Sequence, residues 1–146
     1  MKIHVIHGPN LNLLGQREPE IYGSETLADV NASLEALGAS LGVSLSISQH
    51  NGEGEIIDAI QAAGRDGDGL MVNPGGYTHT SVAIRDAIAG VSIPTIEVHL
   101  SNTYAREPFR HKSLVAGVVR ARVLGFGGTS YLLALRGLVD LLSTTN

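Results

Sequence analysis

The chain contains no cysteine and no tryptophan, and tyrosine and phenylalanine together make up only 4% of it. Without thiols it has no disulfides, no thiolate metal ligands and no cysteine nucleophile, although that absence does not identify a compartment. No apolar stretch reaches the ~20 residues a membrane span requires. Cations are few: 10 Lys and Arg against 14 Asp and Glu leave a net charge of −4, with no general attraction to nucleic acid or an anionic membrane. His4 and His7 punctuate the first apolar segment and no basic region precedes it, so the beginning does not read as a secretory signal. A cytoplasmic protein is expected, with neither nucleic acid nor membrane as a partner. Repeats, low-complexity segments and linkers are absent as well. The 146 residues, 43% hydrophobic, are therefore expected to form a single domain over 1–146 with a substantial core.

What is present is an alternation of two periods. "IHVI" (Ile3–Ile6) reads as a short strand, and Leu27, Val30, Leu34, Leu37 and Leu41 then recur at helical spacing behind Thr26 as N-cap. "VSLSIS" (Val43–Ser48) alternates as a strand, and Ile56, Ile57, Ile60 and Ala63 mark a second helix. "GLMVN" (Gly69–Asn73) is a continuous apolar strand; Thr80–Ala89 is a helix, Pro94–Ser101 a strand, Val118–Leu124 a strand and Ser130–Leu142 a helix. Arg120 and Arg122 alternate with Val119, Ala121 and Val123, which predicts an edge strand with one exposed face. Successive βα units imply an open parallel sheet covered by helices on both faces, with order 2-1-3-4-5 the common solution at this length. Sites in such sheets lie at the carboxyl ends of the strands, where the order reverses.

The loops at that edge hold nearly every unusual polar residue. The first supplies Asn10, Asn12, Arg17 and Tyr22, and the third strand runs into "NPGGYTHTS", with Asn73 and His79. The fourth runs into "EVHLSN", where Glu97 and His99 share one face, followed by Ser101 and the basic run holding Arg106, Arg110, His111 and Lys112. Each has an ordinary explanation: a turn, a helix start, a satisfied strand histidine, a solvated basic face. Convergence on one sheet edge favours a site. There is no serine elbow, and His79, His99 and Glu97 lack the close spacing of a zinc motif, which leaves acid–base chemistry by tyrosine and histidine, anchored by amides and arginine. A phenol of pKa ~10 is only about 0.1% ionised at pH 7, and lowering it by two to three units requires about 3–4 kcal/mol. A guanidinium ~4 Å away at an effective dielectric of ~20 supplies about 4 kcal/mol. Arg17 is expected to make Tyr22 a phenolate.

"HGPNLNLLGQREPEIYG", "NPGGYTHTSVAIRDA" and "EVHLSNTYAREPFRHKS" resemble the signature blocks of the type II 3-dehydroquinate dehydratase family, and "GFGGTSYLLAL" resembles its C-terminal segment. The resemblance runs nearly end to end. It implies a flavodoxin-like three-layer α/β sandwich and a cofactor-free, metal-free dehydration of 3-dehydroquinate to 3-dehydroshikimate through an enolate. It also implies a homododecamer built from trimers. By that resemblance Tyr22 is the base, Arg17 its activator, and Asn10 the holder of an ordered water at the enolate oxygen. His99 is the acid, oriented by Glu97. Asn73, His79 and Arg110 hold the ring hydroxyls, Leu100 and Ser101 bind the carboxylate, and Asp86 reaches a neighbouring subunit's site. The lid of the family corresponds to about 14–22. His50, Tyr77 and the arginines of the last strand depart from the pattern; Tyr77 bears on the site wall and the arginines on subunit packing. The rival readings are a flavodoxin-like small-ligand binding module without catalysis, a phosphoacceptor domain and an inactive scaffold. The first would want phosphate-cradling turns and the second acidic residues where Asn10 and Asn73 stand.

Overall fold

A computed structural model of the chain describes residues 1–16 and 18–144, and of Tyr22 the backbone alone. Five strands form one sheet in the order β2-β1-β3-β4-β5, every neighbouring pair parallel. They are β1 (Lys2–His7), β2 (Ser44–Gln49), β3 (Gly69–Asn73), β4 (Thr95–His99) and β5 (Ala121–Leu124). The helices are α1 (Pro19–Tyr22), α2 (Leu27–Leu41), α3 (Glu53–Asp66), α4 (Val82–Gly90) and α5 (Thr129–Thr144). Among the described residues no helix is long and apolar enough to cross a membrane.

The apolar periods dictate the layers. Ile3 and Val5 of β1, Met71 of β3 and Ile96 and Val98 of β4 face α2 and α5, packing on Val30, Leu34, Tyr131 and Leu135. Ile6, Leu70 and Val72 face the other way, onto Ile56 and Ile60 of α3 and Ile84 and Ile88 of α4. With both faces covered, β3 and β4 are buried along their whole length, as a central parallel strand must be. Thr26 caps α2 with a reciprocal pair: its Oγ1 accepts from Asp29 N at 3.1 Å and its own N–H donates to Asp29 Oδ2 at 3.0 Å.

The topology matches expectation, while several ends move. The helix expected over 80–89 starts at Val82, because Ser81 accepts from Ile84 N at 2.9 Å and 75–79 coil instead into a 3-10 turn. The strand expected over 118–124 is only Ala121–Leu124, because Val118 N–H bonds back to Val115 O at 3.0 Å and closes a turn. The strand expected over 94–101 pairs only over Thr95–His99, and that expected over 43–48 runs Ser44–Gln49. The expectation that Arg120 and Arg122 share the exposed face of an edge strand is corrected: Arg120 is exposed and precedes β5, and Arg122 turns inward onto Glu97.

Candidate active site

The carboxyl ends of β1, β3 and β4 open onto one cavity of about 230 Å³. Register sets the arrangement, since His7 ends β1 directly beside Asn73 of β3. Close approach there requires glycine. A Cβ on Gly8 would lie 2.6 Å from the Asn73 carbonyl oxygen, so the loop after β1 passes backbone to backbone over the end of β3. Asn10 then takes the left-handed conformation, φ 70°, which asparagine tolerates better than other side chains. That turn sets Asn10, Leu11 and Leu14 into the cavity wall.

Of the expected residues, Asn10, Asn73, His79, His99, Leu100, Ser101 and Arg110 all line the cavity. Glu97 stands behind them, fully buried, with Oε2 accepting from His99 Nε2 at 2.6 Å. Burial alone would raise the Glu97 carboxyl. Hydrogen bonds from His99 and Arg122 outweigh it and hold the group below the usual carboxylate range. Glu97 is thus an anion with its acceptor aimed at one ring nitrogen. Asp86 does not line this cavity; it sits exposed on α4. The expectations for Arg17 and for the Tyr22 phenol lie outside the described residues.

His79 donates from Nδ1 to Lys112 O at 2.7 Å and lies edge-on to Phe109. Partial burial and the neighbouring His99 and Arg110 lower its pKa despite that bond. Arg110 reaches Glu107 Oε1 at 3.0 Å through Nε, and its guanidinium lies over the Phe109 ring at 4.8 Å. Arg106 also lines the cavity and donates to Ser101 Oγ at 3.2 Å. Arg106 and Arg110 line the cavity and no carboxylate does among the described lining residues, while Glu107 and Glu18 pair with the two guanidiniums from outside it, Glu107 with Arg110 at 3.0 Å and Glu18 with Arg106 at 3.9 Å.

Sequence reasoning passed over Arg106 and Thr103 as lining residues; the spacing of the two arginines in "REPFR", with one turn between them, was the available signal for the first. It also missed a buried relay behind Asn73. His7 is fully buried, and burial lowers its pKa to about 4, so the ring is neutral. Its Nε2–H donates to Asn31 Oδ1 at 2.8 Å, which leaves Nδ1 to accept from the Tyr131 hydroxyl at 2.9 Å. That hydroxyl in turn accepts from Asn73 Nδ2 at 3.0 Å, while Asn73 Oδ1 accepts from Gly75 N at 3.1 Å. The amide of Asn73 is therefore held from both ends. No local pattern announces a contact between His7 and Tyr131. Tyr77 does not line the cavity: its hydroxyl donates to Asn51 O at 2.9 Å, and His50 bonds Ser48 Oγ at 3.0 Å, also off the lining.

Fold and site together define a flavodoxin-like α/β protein with a hydrogen-bonded glutamate–histidine pair at the carboxyl edge of its sheet. The family model described as "Dehydroquinase class II" matches residues 1–139, and the chain belongs to that family. It is 55% identical to the 3-dehydroquinate dehydratase of Trichodesmium erythraeum over 140 residues, 96% of this chain and 93% of that one. The crystal structure of the type II dehydroquinase from Butyrivibrio crossotus superposes with a TM-score of 0.92 at 46% identity, covering 98% of this chain and 97% of the other. That from Propionibacterium acnes gives 0.92 at 40% identity, with 95% and 96% covered.

Proposed function

We propose that this protein is a lyase that dehydrates 3-dehydroquinate to 3-dehydroshikimate, a step of the shikimate pathway or of quinate catabolism. The observation that carries the reading is the Glu97–His99 hydrogen bond at 2.6 Å, set against a cavity whose described lining holds two arginines and no carboxylate. Family membership over residues 1–139 supports it. The substrate is a hydroxylated carboxylate with a ketone beside the carbon that loses its proton, so it needs a base, an acid and cationic or N–H anchors.

In this reading residues 1–146 act as one catalytic domain. Tyr22, held as phenolate by Arg17, takes the C2 proton, and the electron pair passes to the ketone oxygen as an enolate. Asn10 holds a water that donates to that oxygen. The enolate then collapses to form the C1–C2 double bond, and the C1 hydroxyl leaves with a proton from His99 as water. Asn73, His79 and Arg110 hold the ring hydroxyls. Leu100 and Ser101 receive the carboxylate, next to Arg106. Segment 14–22 closes as a lid, bringing Arg17 in as water leaves. The enzyme works in the cytoplasm as a dodecamer built from trimers, with Asp86 completing a neighbour's site; the exposed position of Asp86 on α4, outside its own cavity, favours this. The test is direct. Purified protein mixed with 3-dehydroquinate should raise the ultraviolet absorbance of the conjugated enone product, and an unchanged spectrum would remove the reading.

A further inference from the structure

Arg122 lies outside the cavity lining and has no part in the scheme above, yet it grips the one carboxylate that holds His99. On the parallel strands β4 and β5 its Cα is the register partner of Glu97. The guanidinium meets the carboxylate side-on: Nε donates to Oε1 at 2.8 Å and Nη2 to Oε2 at 3.2 Å. Ser113 Oγ lies 3.0 Å from Oε1 and 3.2 Å from Oε2, and His99 Nε2 takes Oε2 at 2.6 Å. Glu97 has no exposed side-chain surface and Arg122 has 20%. The far side of Arg122 is touched by Tyr104, whose hydroxyl lies 3.4 Å from Nη1. His79, from the turn after β3, completes the charged and titratable surroundings.

With only the His99 ring and the single Ser113 hydroxyl on it, a buried carboxylate has no cation of fixed charge and no planar partner: it can tilt, or it can take up a proton. Either would deprive the ring of its fixed acceptor. A guanidinium prevents both, because it stays charged at any working pH and its planar fork fixes the carboxylate plane. A lysine would supply charge without the plane. Nor is stability a sufficient reason for the pair, since buried ion pairs seldom outperform well-packed apolar residues.

We propose that Arg122 is a positioning residue for the acid step. It locks the orientation and charge of Glu97, so that Nε2 of His99 is committed to Glu97 and Nδ1 is left to serve the cavity. The inference rests on His99 acting as the acid. It deepens that assignment by placing control of the acid on β5, outside the site.

The test compares Arg122→Met, Arg122→Lys, His99→Ala and the double variant Arg122→Met/His99→Ala, in kcat and KM, with circular dichroism melts to confirm folding. Arg122→Met is expected to lower kcat about 10-fold or more with KM within about twofold. Arg122→Lys, which keeps the charge without the planar fork, should recover only part of the rate. Adding Arg122→Met to His99→Ala should change kcat no further. A folded Arg122→Met with wild-type kcat overturns the proposal, as does a loss confined to KM or to the melting temperature, or one that persists undiminished in the His99→Ala background. Should Arg122→Met fail to fold, wild-type kcat in a folded Arg122→Lys overturns it equally. Full turnover in His99→Ala would instead overturn the acid assignment, a result read independently of Arg122.

Discussion

For Tyr22 to act as the proposed base its phenol must be ionised near neutrality, and Arg17 is five positions away in the sequence. Tyr22→Phe should abolish turnover while substrate affinity, measured by calorimetry, stays within a fewfold. In that proposal Arg17→Ala should lower kcat by about 10²-fold or more at pH 7, since a guanidinium at ~4 Å would supply about 4 kcal/mol towards ionising the phenol. Near-normal rates in either would remove the base assignment. The relay behind Asn73 makes a second claim at this scale. Burial pushes the Tyr131 phenol well above its usual range, so it stays a neutral donor to His7 and acceptor from Asn73. Tyr131→Phe leaves a ring nitrogen and an amide N–H unsatisfied, and should destabilise the protein by about 1–3 kcal/mol in chemical denaturation and raise KM more than it lowers kcat.

At the scale of elements, the site depends on how closely loops cross strand ends. Gly8 passes over β3, where an added Cβ would sit 2.6 Å from Asn73 O and 2.8 Å from the Pro74 carbonyl carbon. These are backbone atoms that cannot swing away. Gly8→Ala should therefore lower stability by about 1–3 kcal/mol and shift Asn10 relative to Asn73, read as a raised KM and a lower melting temperature. An unchanged KM would mean that the two loops move independently. Element type and order were legible because apolar periods are local: Leu27–Leu41 repeats at helical spacing, and 69–73 is uninterrupted. The ends were less legible because caps and turns compete with the same residues. Ser81 reads as part of a helix but caps it, and Val118 reads as strand but closes a turn.

For the molecule as a whole, buried His7 links stability to pH. Burial lowers its pKa from 6.5 to about 4, against a smaller opposing contribution from its bond to Asn31. Above pH 6.5 the ring is neutral in both folded and unfolded chains and contributes nothing. As pH falls from about 6.5 towards 4, the unfolded chain takes up a proton that the folded ring refuses, so stability is lost by about 3 kcal/mol in total. Denaturant titrations at successive pH values should show this slope. Replacing His7 by Gln should reduce it within that window, leaving the part that belongs to His79, whose pKa is also lowered, and the loss below about pH 4 that belongs to the depressed carboxylates Asp29, Asp66, Glu97 and Glu107. An unaltered slope in His7→Gln would place the proton uptake elsewhere.

By itself the sequence determined the alternation of strands and helices, and with it the parallel sheet and the edge on which Asn10, Asn73, His79, His99 and Arg110 gather. Those follow from periods read over a few residues and from the handedness of crossovers. Only the tertiary structure decided that Arg122 turns inward to Glu97 and that His7 meets Tyr131, 124 positions away. Such pairings are set by lateral register and by which buried donors remain without an acceptor, and neither quantity exists until the layers have packed.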